Sequence, residues 1–248
     1  MEIKEWKLPP RDLTLSLQDV HVWLVSLNQP NDYVQQLLGS LSAEETSRGD
    51  RFIFKRDRRR FITSHGILRM ILSNYTGIDP AQLEFSYEPN GKPYLSKEFN
   101  PSNIRFNLSH SNELAICGVT RDREIGVDLE YIRPIPELEK LASKYFSNDK
   151  RDLFEIIPEG QKMECFFTTW TSMEAYLKAL GVGLTNLLEY PGGYPLPSEP
   201  IKYFQIIKDT QKSTLWTMVR FSPSSGYVGA LVVEGYSLML SGWQWNQF

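Results

Sequence analysis

Cysteine is scarce in this chain of 248 residues: only Cys117 and Cys165 are present, each within an apolar run and without metal-ligand spacing. This argues against a disulfide framework or a zinc site and favours reduced, buried thiols. No run of eighteen apolar residues occurs, and the opening segment MEIKEWKLPP has no apolar core or small-residue cleavage pattern. Because membrane insertion and export need such segments, we expect a cytoplasmic, untethered protein.

A strong excess of one charge sign is also missing. The net charge of −3 argues against a dedicated nucleic-acid binder, whose domain is usually strongly basic. No Gly-rich nucleotide-binding loop and no nucleophile elbow occur. These absences remove the common kinase, dehydrogenase and hydrolase interpretations.

Two short stretches are the most informative features that are present. The first has the sequence GVDLE and covers residues 126–130. In an extended segment successive side chains alternate between faces, so Asp128 and Glu130 point the same way while their apolar neighbours point into a core. Paired acids at a strand edge are most often solvated charges, so Asp128 and Glu130 indicate a functional site only in combination with other motifs.

The second stretch, residues 170–179, has the sequence WTSMEAYLKA. On a helix Glu174 and Lys178 are four residues apart and share a face, which by itself describes an ordinary surface ion pair. Carboxylate oxygens suit Mg²⁺, which commonly takes its other ligands from water and phosphate oxygens. Together with Asp128 and Glu130, these residues can assemble three carboxylates and one lysine around a metal-bound pyrophosphate.

In this order the two stretches closely resemble the phosphopantetheinyl transferases of the surfactin-synthetase type. The resemblance extends upstream through Gly91-Lys92-Pro93 and Phe106 to Ser111, and it covers the chain to about Leu184. It implies transfer of 4′-phosphopantetheine from coenzyme A to a serine of an acyl or peptidyl carrier protein, with release of 3′,5′-adenosine bisphosphate. It also implies Mg²⁺, with Mn²⁺ as an alternative.

The same resemblance implies roles for individual residues. Asp128, Glu130 and Glu174 would be metal ligands, and Glu174 and Lys178 would be catalytic. Ser109 would contact the pyrophosphate and His110 the 3′-phosphate of coenzyme A. The residues expected to contact coenzyme A are Arg48, Arg60, Lys92, Pro93, Ser109, His110 and Lys178.

Two positions depart from the family pattern. Many relatives have a glutamate as general base where Lys150 stands, so either Asp149 after a small register shift, or Glu174 through a metal-bound water, would take that role. Met173 stands where relatives commonly have lysine, which removes one positive charge from the nucleotide site. The basic and apolar residues between Lys150 and Phe167 are a candidate docking surface for the carrier protein.

The hydrophobic pattern predicts alternating strands and helices. A capping box formed by Ser42 and Glu45 marks the start of a long helical region that reaches about Tyr75. The other expected elements are strands over 20–27, over short stretches between 83 and 120 with a hairpin turn at 89–91, and over 125–131; helices over 32–38, 136–146 and 161–180; a surface loop over 190–200; and further strands to the end.

The similar order of elements in the two parts of the chain predicts an α+β fold. By the resemblance, two such halves pack as a pseudo-twofold unit with the active site between them. We place the N-terminal half, with the 3′-phosphate and nucleotide contacts, at residues 1–125. The C-terminal half, with the metal ligands and the catalytic helix, takes residues 126–248. Because one chain then forms a complete site, we expect a monomer.

Two alternatives from other classes stay open on sequence grounds. Lys150 and Met173 make a catalytically idle module that binds coenzyme A or carrier protein conceivable. The acidic cluster is also compatible with a Mg²⁺-dependent phosphodiesterase or nuclease, although the net charge argues against it.

Overall fold

The structure is a computed structural model that describes residues 3, 5–146, 148–183, 204–209 and 214–246. Within these residues there are six α-helices and ten strands. None of the described helices is long and apolar enough to cross a membrane.

The helices and strands alternate along the chain. The strands are β1 (Asp19–Ser26), β2 (Phe85–Tyr87), β3 (Pro93–Leu95), β4 (Ile104–Ser111), β5 (Leu114–Arg121), β6 (Ile125–Tyr131), β7 (Phe204–Asp209), β8 (Thr214–Phe221), β9 (Tyr227–Glu234) and β10 (Met239–Gln244). The helices are α1 (Asn31–Ser40), α2 (Ala43–Asp50), α3 (Lys55–Thr76), α4 (Leu138–Tyr145), α5 (Asn148–Glu155) and α6 (Glu159–Leu180).

Two four-stranded sheets organise the fold. The first has the order β10-β1-β5-β4, the second has the order β6-β9-β8-β7, and β2 and β3 form a separate hairpin. In the first sheet β1 runs antiparallel to β5 and parallel to β10, with Trp23 opposite Trp243. Strand β10 therefore joins the sheet of the N-terminal half, although it lies far beyond the expected boundary near Gly126. The boundary stays a prediction. Strand β10 follows it in the sequence but pairs with β1, which precedes it.

The layers follow from the alternation of side chains along each strand. Trp23 and Val25 of β1 pack with Ile67 of α3 in one core. Val20 and Val22 point to the other face and pack with β6 and β9 of the second sheet. Helix α6 covers the far face of the second sheet. The result is the expected α+β fold of two halves, each with one 22-residue helix against a four-stranded sheet.

The helical region expected from Ser42 to about Tyr75 consists of two helices, with a break at residues 51–54. The capping box is confirmed: Ser42 Oγ accepts from the Glu45 backbone N–H at 3.2 Å, and the Glu45 carboxylate accepts from the Ser42 N–H at 2.9 Å. The break lets α2 fold back so that Glu45 pairs with buried Arg69 at 2.7 Å. A buried guanidinium requires such a partner.

Other expectations differ in detail. Helix α5 was not expected from the sequence, and the loop expected at 190–200 lies outside the described residues. Both cysteines are free thiols, but only Cys117 is buried, whereas Cys165 is partly exposed and so corrects the expectation for that residue.

Candidate active site

The site is built where β4 and β6, the edge strands of the two sheets, run side by side. Alternate residues of β4 reach across to β6. The Asn107 side-chain oxygen accepts from the Val127 N–H at 2.9 Å, and Ser109 Oγ donates to Asp128 Oδ1 at 2.8 Å. Ser111 makes the third contact of this β4–β6 junction. Side chains thus replace the backbone ladder between the sheets and fix the position of the acids on β6.

Gly126 explains how α6 approaches this junction. A Cβ atom at this position would lie 2.0 Å from the backbone oxygen of Ala175, so only glycine allows the helix to pack this closely on β6. At this distance Lys178 Nζ reaches Asp128 Oδ1 at 2.6 Å and Ser109 Oγ at 3.2 Å. Gly126, the first residue of the GVDLE motif, therefore allows the close contact between this strand and the helix that carries the second motif.

Asp128 is the most buried of the three acids. Burial raises the pKa of its carboxyl group, and the positive charge of Lys178 and the hydrogen bonds from Lys178 and Ser109 oppose that rise. Its second oxygen, Oδ2, is buried and has no hydrogen-bond partner among the described residues. A buried acceptor without a partner is unfavourable, so this oxygen is suited to a cation that is not part of the protein.

Glu130 is held by two donors. Ser111 Oγ donates to Glu130 Oε2 at 2.8 Å and itself accepts from the Tyr131 N–H at 3.0 Å. Arg133 donates to the same carboxylate oxygen at 2.9 Å, and its guanidinium lies over the ring of Phe167. The carboxylate is therefore oriented before any ligand arrives.

Glu174 completes the acidic group from α6. Burial raises the pKa of its carboxyl group to about 7, Lys178 opposes the rise, and the charges of Asp128 and Glu130 add to it. Near neutral pH this group therefore exchanges a proton readily. A cation bound beside it would favour the ionised form.

The acidic group is compatible with Mg²⁺ but is not preassembled around a metal ion. Among the described residues, no three His, Cys, Asp or Glu side chains are grouped as a metal cluster. One oxygen of Asp128 accepts hydrogen bonds from Ser109 and Lys178, and one oxygen of Glu130 accepts from Ser111 and Arg133. These two carboxylate oxygens are therefore directed at protein donors rather than at a shared metal position. The donors are nevertheless hard oxygens, and Mg²⁺ usually needs only one or two protein carboxylates beside water and phosphate.

A cleft with a volume of about 610 Å³ opens beside Glu130. Arg60 lies in its wall and donates to Asn112 Oδ1 at 2.9 Å. The His110 ring keeps exposed surface in this cleft, yet its pKa is lowered, first by burial and then by the positive charges of Lys178 and Arg60. The lining is Phe52, Arg56, Asp57, Arg60, Phe61, His110, Ser111, Asn112, Glu130, Tyr131 and Arg133.

Arg48, Lys92 and Pro93, the other expected coenzyme A contacts, are not among the described residues that line this cleft, and Arg48 contacts its wall. Arg48 donates to the Tyr87 hydroxyl at 3.2 Å and lies over the rings of Phe61 and Tyr87. It thus supports Phe61, which is part of the cleft wall. Among the described residues that line the cleft, Arg60 is present and Arg48 is not.

The Lys92 side chain reaches the C-terminal end of α6. Lys92 Nζ forms an ion pair with Glu124 at 2.9 Å and donates to the Ala179 carbonyl at 3.5 Å. The neighbouring Asn90 donates to the Gly181 carbonyl at 2.9 Å. Pro93 opens β3. Because Lys92 already has an acidic partner, its contact with coenzyme A stays a prediction.

The two departures from the family pattern have different outcomes. Met173 is buried and packs with Tyr176 and Trp216 in the core between α6 and the second sheet. Asp149 and Lys150 belong to α5, but their side chains lie outside the described residues. The choice of general base therefore stays a prediction.

Three site residues were missed by the sequence analysis: Asn107, Ser111 and Arg133. A signal for the first two was present, because they alternate with Ser109 along one strand and so share its face. Arg133 follows Glu130 by three residues outside any motif, and nothing in the sequence marks its contact with that carboxylate.

The chain matches known proteins along most of its length. Residues 28–120 match the family model for the 4′-phosphopantetheinyl transferase N-terminal region, and residues 124–232 match that of the 4′-phosphopantetheinyl transferase superfamily. The 4′-phosphopantetheinyl transferase HetI of Nostoc sp. is 41% identical over 239 residues, which span 96% of this chain and 95% of that protein.

Bacillus relatives are more distant. A 4′-phosphopantetheinyl transferase of Bacillus subtilis is 27% identical over 154 residues, or 62% of this chain and 66% of the relative. The 4′-phosphopantetheinyl transferase psf-1 of Bacillus pumilus is 32% identical over 152 residues, or 61% and 63%. The chain therefore belongs to the 4′-phosphopantetheinyl transferase superfamily, which confirms the resemblance drawn from its motifs.

Proposed function

We propose that this protein transfers the 4′-phosphopantetheine group of coenzyme A to a serine hydroxyl of an acyl or peptidyl carrier protein. The observation that supports this most strongly is the convergence of Asp128, Glu130 and Glu174 with Lys178 where the two sheets meet, in a chain of this family. Apo carrier protein is thereby converted to its holo form, and 3′,5′-adenosine bisphosphate is released.

We propose Mg²⁺, or Mn²⁺ in its place, as the metal of this site, held by Asp128, Glu130 and Glu174. The free Asp128 Oδ2 and the raised pKa of Glu174 support the assignment. When bound, such an ion polarises the pyrophosphate and stabilises the charge that develops on the leaving group.

The positive and polar side chains would bind the phosphates. Lys178 and Ser109, which already touch each other, would meet the pyrophosphate. His110 and Arg60 line the cleft and would contact the 3′-phosphate. Arg48, which donates to the Tyr87 hydroxyl, would add a third positive charge for this phosphate. Arginine forks suit phosphate oxygens well. Lys92 and Pro93 would lie beside the nucleotide.

The chemistry requires one proton acceptor. The serine oxygen forms a bond to the β-phosphorus while the bond from that phosphorus to the oxygen of the bisphosphate breaks. The serine proton passes to a carboxylate, and the bisphosphate leaves with its negative charge stabilised by Lys178. Glu174, acting through a bound water, is one candidate acceptor. Asp149 of α5 is the other.

The remaining parts of the proposal concern the setting. We infer that the protein acts in the cytoplasm, where coenzyme A is available, and this is supported by the two free thiols. We also infer a monomer, since residues from both sheets of one chain already form the site.

Intact mass spectrometry tests the proposal directly. Purified apo carrier protein, coenzyme A and Mg²⁺ are incubated with the enzyme or with its Asp128→Asn variant. We expect a mass gain of one phosphopantetheine group per carrier with the native protein and at least a ~100-fold slower gain with the variant. Binding of coenzyme A without labelling of several unrelated carriers would instead favour the idle module.

A further inference from the structure

The break between α2 and α3 exposes three consecutive apolar side chains. Ile53 is 91% exposed, Phe54 66% and Phe52 43%. Only Phe52 has an aromatic neighbour among the described residues, since its ring lies 5.5 Å from that of Phe61. Single exposed apolar residues are ordinary, but a contiguous group of this kind commonly marks an interaction site.

Local stability does not explain these residues. Phe54 takes the N-cap position of α3 and makes no side-chain capping hydrogen bond. Ser, Thr, Asp or Asn at that position would stabilise the helix, so the chain gives up a stabilising contact where it exposes an aromatic ring. Lys55 and Arg56 follow in the first turn, although positive charge is disfavoured at the N-terminal end of a helix.

The position of this segment relates it to the proposed reaction. Phe52 and Arg56 form one wall of the cleft that also contains Glu130, and Tyr131 and Arg133 form part of its lining as well. A protein that presents a hydroxyl group through this cleft would approach over this rim. The apolar side chains are therefore continuous with the candidate active site.

The charge of the segment indicates the chemistry of its partner. Residues 51–60 contain six Lys and Arg and one Asp, in a chain whose net charge is −3. Three of these arginines are paired locally: Arg58 with Asp50 at 2.8 Å, and Arg56 and Arg60 with Asp57 at 3.4 and 3.9 Å. Arg51 and Lys55 are exposed beside the apolar residues. A partner that fits is acidic and presents an apolar spot.

We propose that residues 51–56, the docking loop, bind the carrier protein through an acidic and partly apolar surface next to its acceptor serine. This rests on the proposed function. Binding here would bring the acceptor serine to the acids across the cleft, and the positive charge of the docking loop would speed encounter with an acidic partner.

The test compares two exposed surfaces with a remote control. The double variant Ile53→Ser/Phe54→Ser removes the apolar contact, and we expect it to fold because serine is a favoured residue at the N-cap of a helix. Ile156, 78% exposed after α5, probes the rival surface at 150–167, through Ile156→Ser. Tyr236→Ser is the control, since Tyr236 is 61% exposed in the β9–β10 turn.

Rates of carrier labelling and melting curves are measured for all four proteins. We expect the double variant to raise KM for the carrier about tenfold or more, with KM for coenzyme A unchanged and the melting temperature kept. Tyr236→Ser should behave as the native protein. Equal behaviour of the double variant and Tyr236→Ser, or a loss confined to Ile156→Ser, would overturn the proposal.

Charge reversal gives a second, independent measurement. Arg51→Glu should raise KM for the carrier and weaken its dependence on salt, whereas Arg121→Glu, at the far end of β5 from His110, should not. An equal effect of both would contradict a local role. A native dimer that the double variant dissociates, with KM unchanged, would assign the loop to self-association instead. If the native protein labels no carrier, the proposed function itself fails.

Discussion

Ser109 and Asp128 belong to different sheets, yet their side chains meet in a hydrogen bond of 2.8 Å. The same carboxylate oxygen accepts from Lys178 of α6 at 2.6 Å. One atom thus receives donors from β4 and from α6. The candidate site therefore depends on how both sheets and the helix pack, and small displacements should affect it strongly.

Gly126→Ala should separate α6 from β6, because its Cβ would lie 2.0 Å from the Ala175 carbonyl oxygen. We expect a loss of about 1–3 kcal/mol in the free energy of unfolding from overpacking. Displacement of Lys178 should lower the transfer rate ~100-fold. Urea denaturation and carrier labelling measure the two effects.

Gly160→Ala, within α6 itself, is the matched control. Nothing lies within 4 Å of its added Cβ, so the change should stabilise α6 by up to about 1 kcal/mol and leave the rate unchanged. If Gly126→Ala behaved like Gly160→Ala, the close approach of the helix would not matter for the reaction.

Glu174 should make stability depend on pH in the absence of metal. Its pKa is raised from 4.5 to about 7 on folding, so the folded state binds more protons than the unfolded state between these values. The stabilising contribution of the protonated group is complete below pH 4.5 and is lost as the pH rises through about 7. Urea denaturation in chelator, at several pH values, should show this fall.

Glu174→Gln is the comparison for the pH effect. The amide cannot titrate, so the variant should lose less stability than the native protein over the same pH range. The apparent affinity of the native protein for Mg²⁺ should rise through that range, because binding releases a proton. Identical pH profiles of the two proteins would contradict the pKa shift.

Ser111→Ala should weaken metal binding without touching a proposed ligand. The change removes the donor that orients Glu130, whereas water can replace the acceptor of the Tyr131 N–H because that contact is exposed. Titration with Mn²⁺ monitored by magnetic resonance should show weaker binding. Ser111→Thr, which keeps the hydroxyl, should retain more of the affinity, and equal loss in both would point to packing instead.

The buried pair of Glu45 and Arg69 should govern the stability of the first half. Arg69 also donates to the Pro80 carbonyl at 2.7 Å and the Leu83 carbonyl at 3.0 Å. Glu45→Ala should lower the free energy of unfolding by about 3–5 kcal/mol, because it leaves a buried cation uncompensated. The double change Glu45→Leu/Arg69→Met should be much milder in thermal melts, and equal losses would show that charge burial is not the cause.

The sequence by itself determined the features that depend on local order. Alternation placed Asp128 and Glu130 on one face of a strand, helical spacing placed Glu174 beside Lys178, and the cap at Ser42 marked a helix start. Motif order identified the family. These properties follow from the periods of helices and strands and from short-range hydrogen bonds, which a single chain segment contains.

Only the tertiary structure decided which distant segments meet. It divided the predicted helical region after residue 50, because the pairing of Glu45 with Arg69 requires α2 to fold back on α3. It placed β10 beside β1, and it joined Ser111 and Arg133 to Glu130. Such contacts depend on the burial of charge and on the packing of layers from opposite ends of the chain, and no local pattern encodes them.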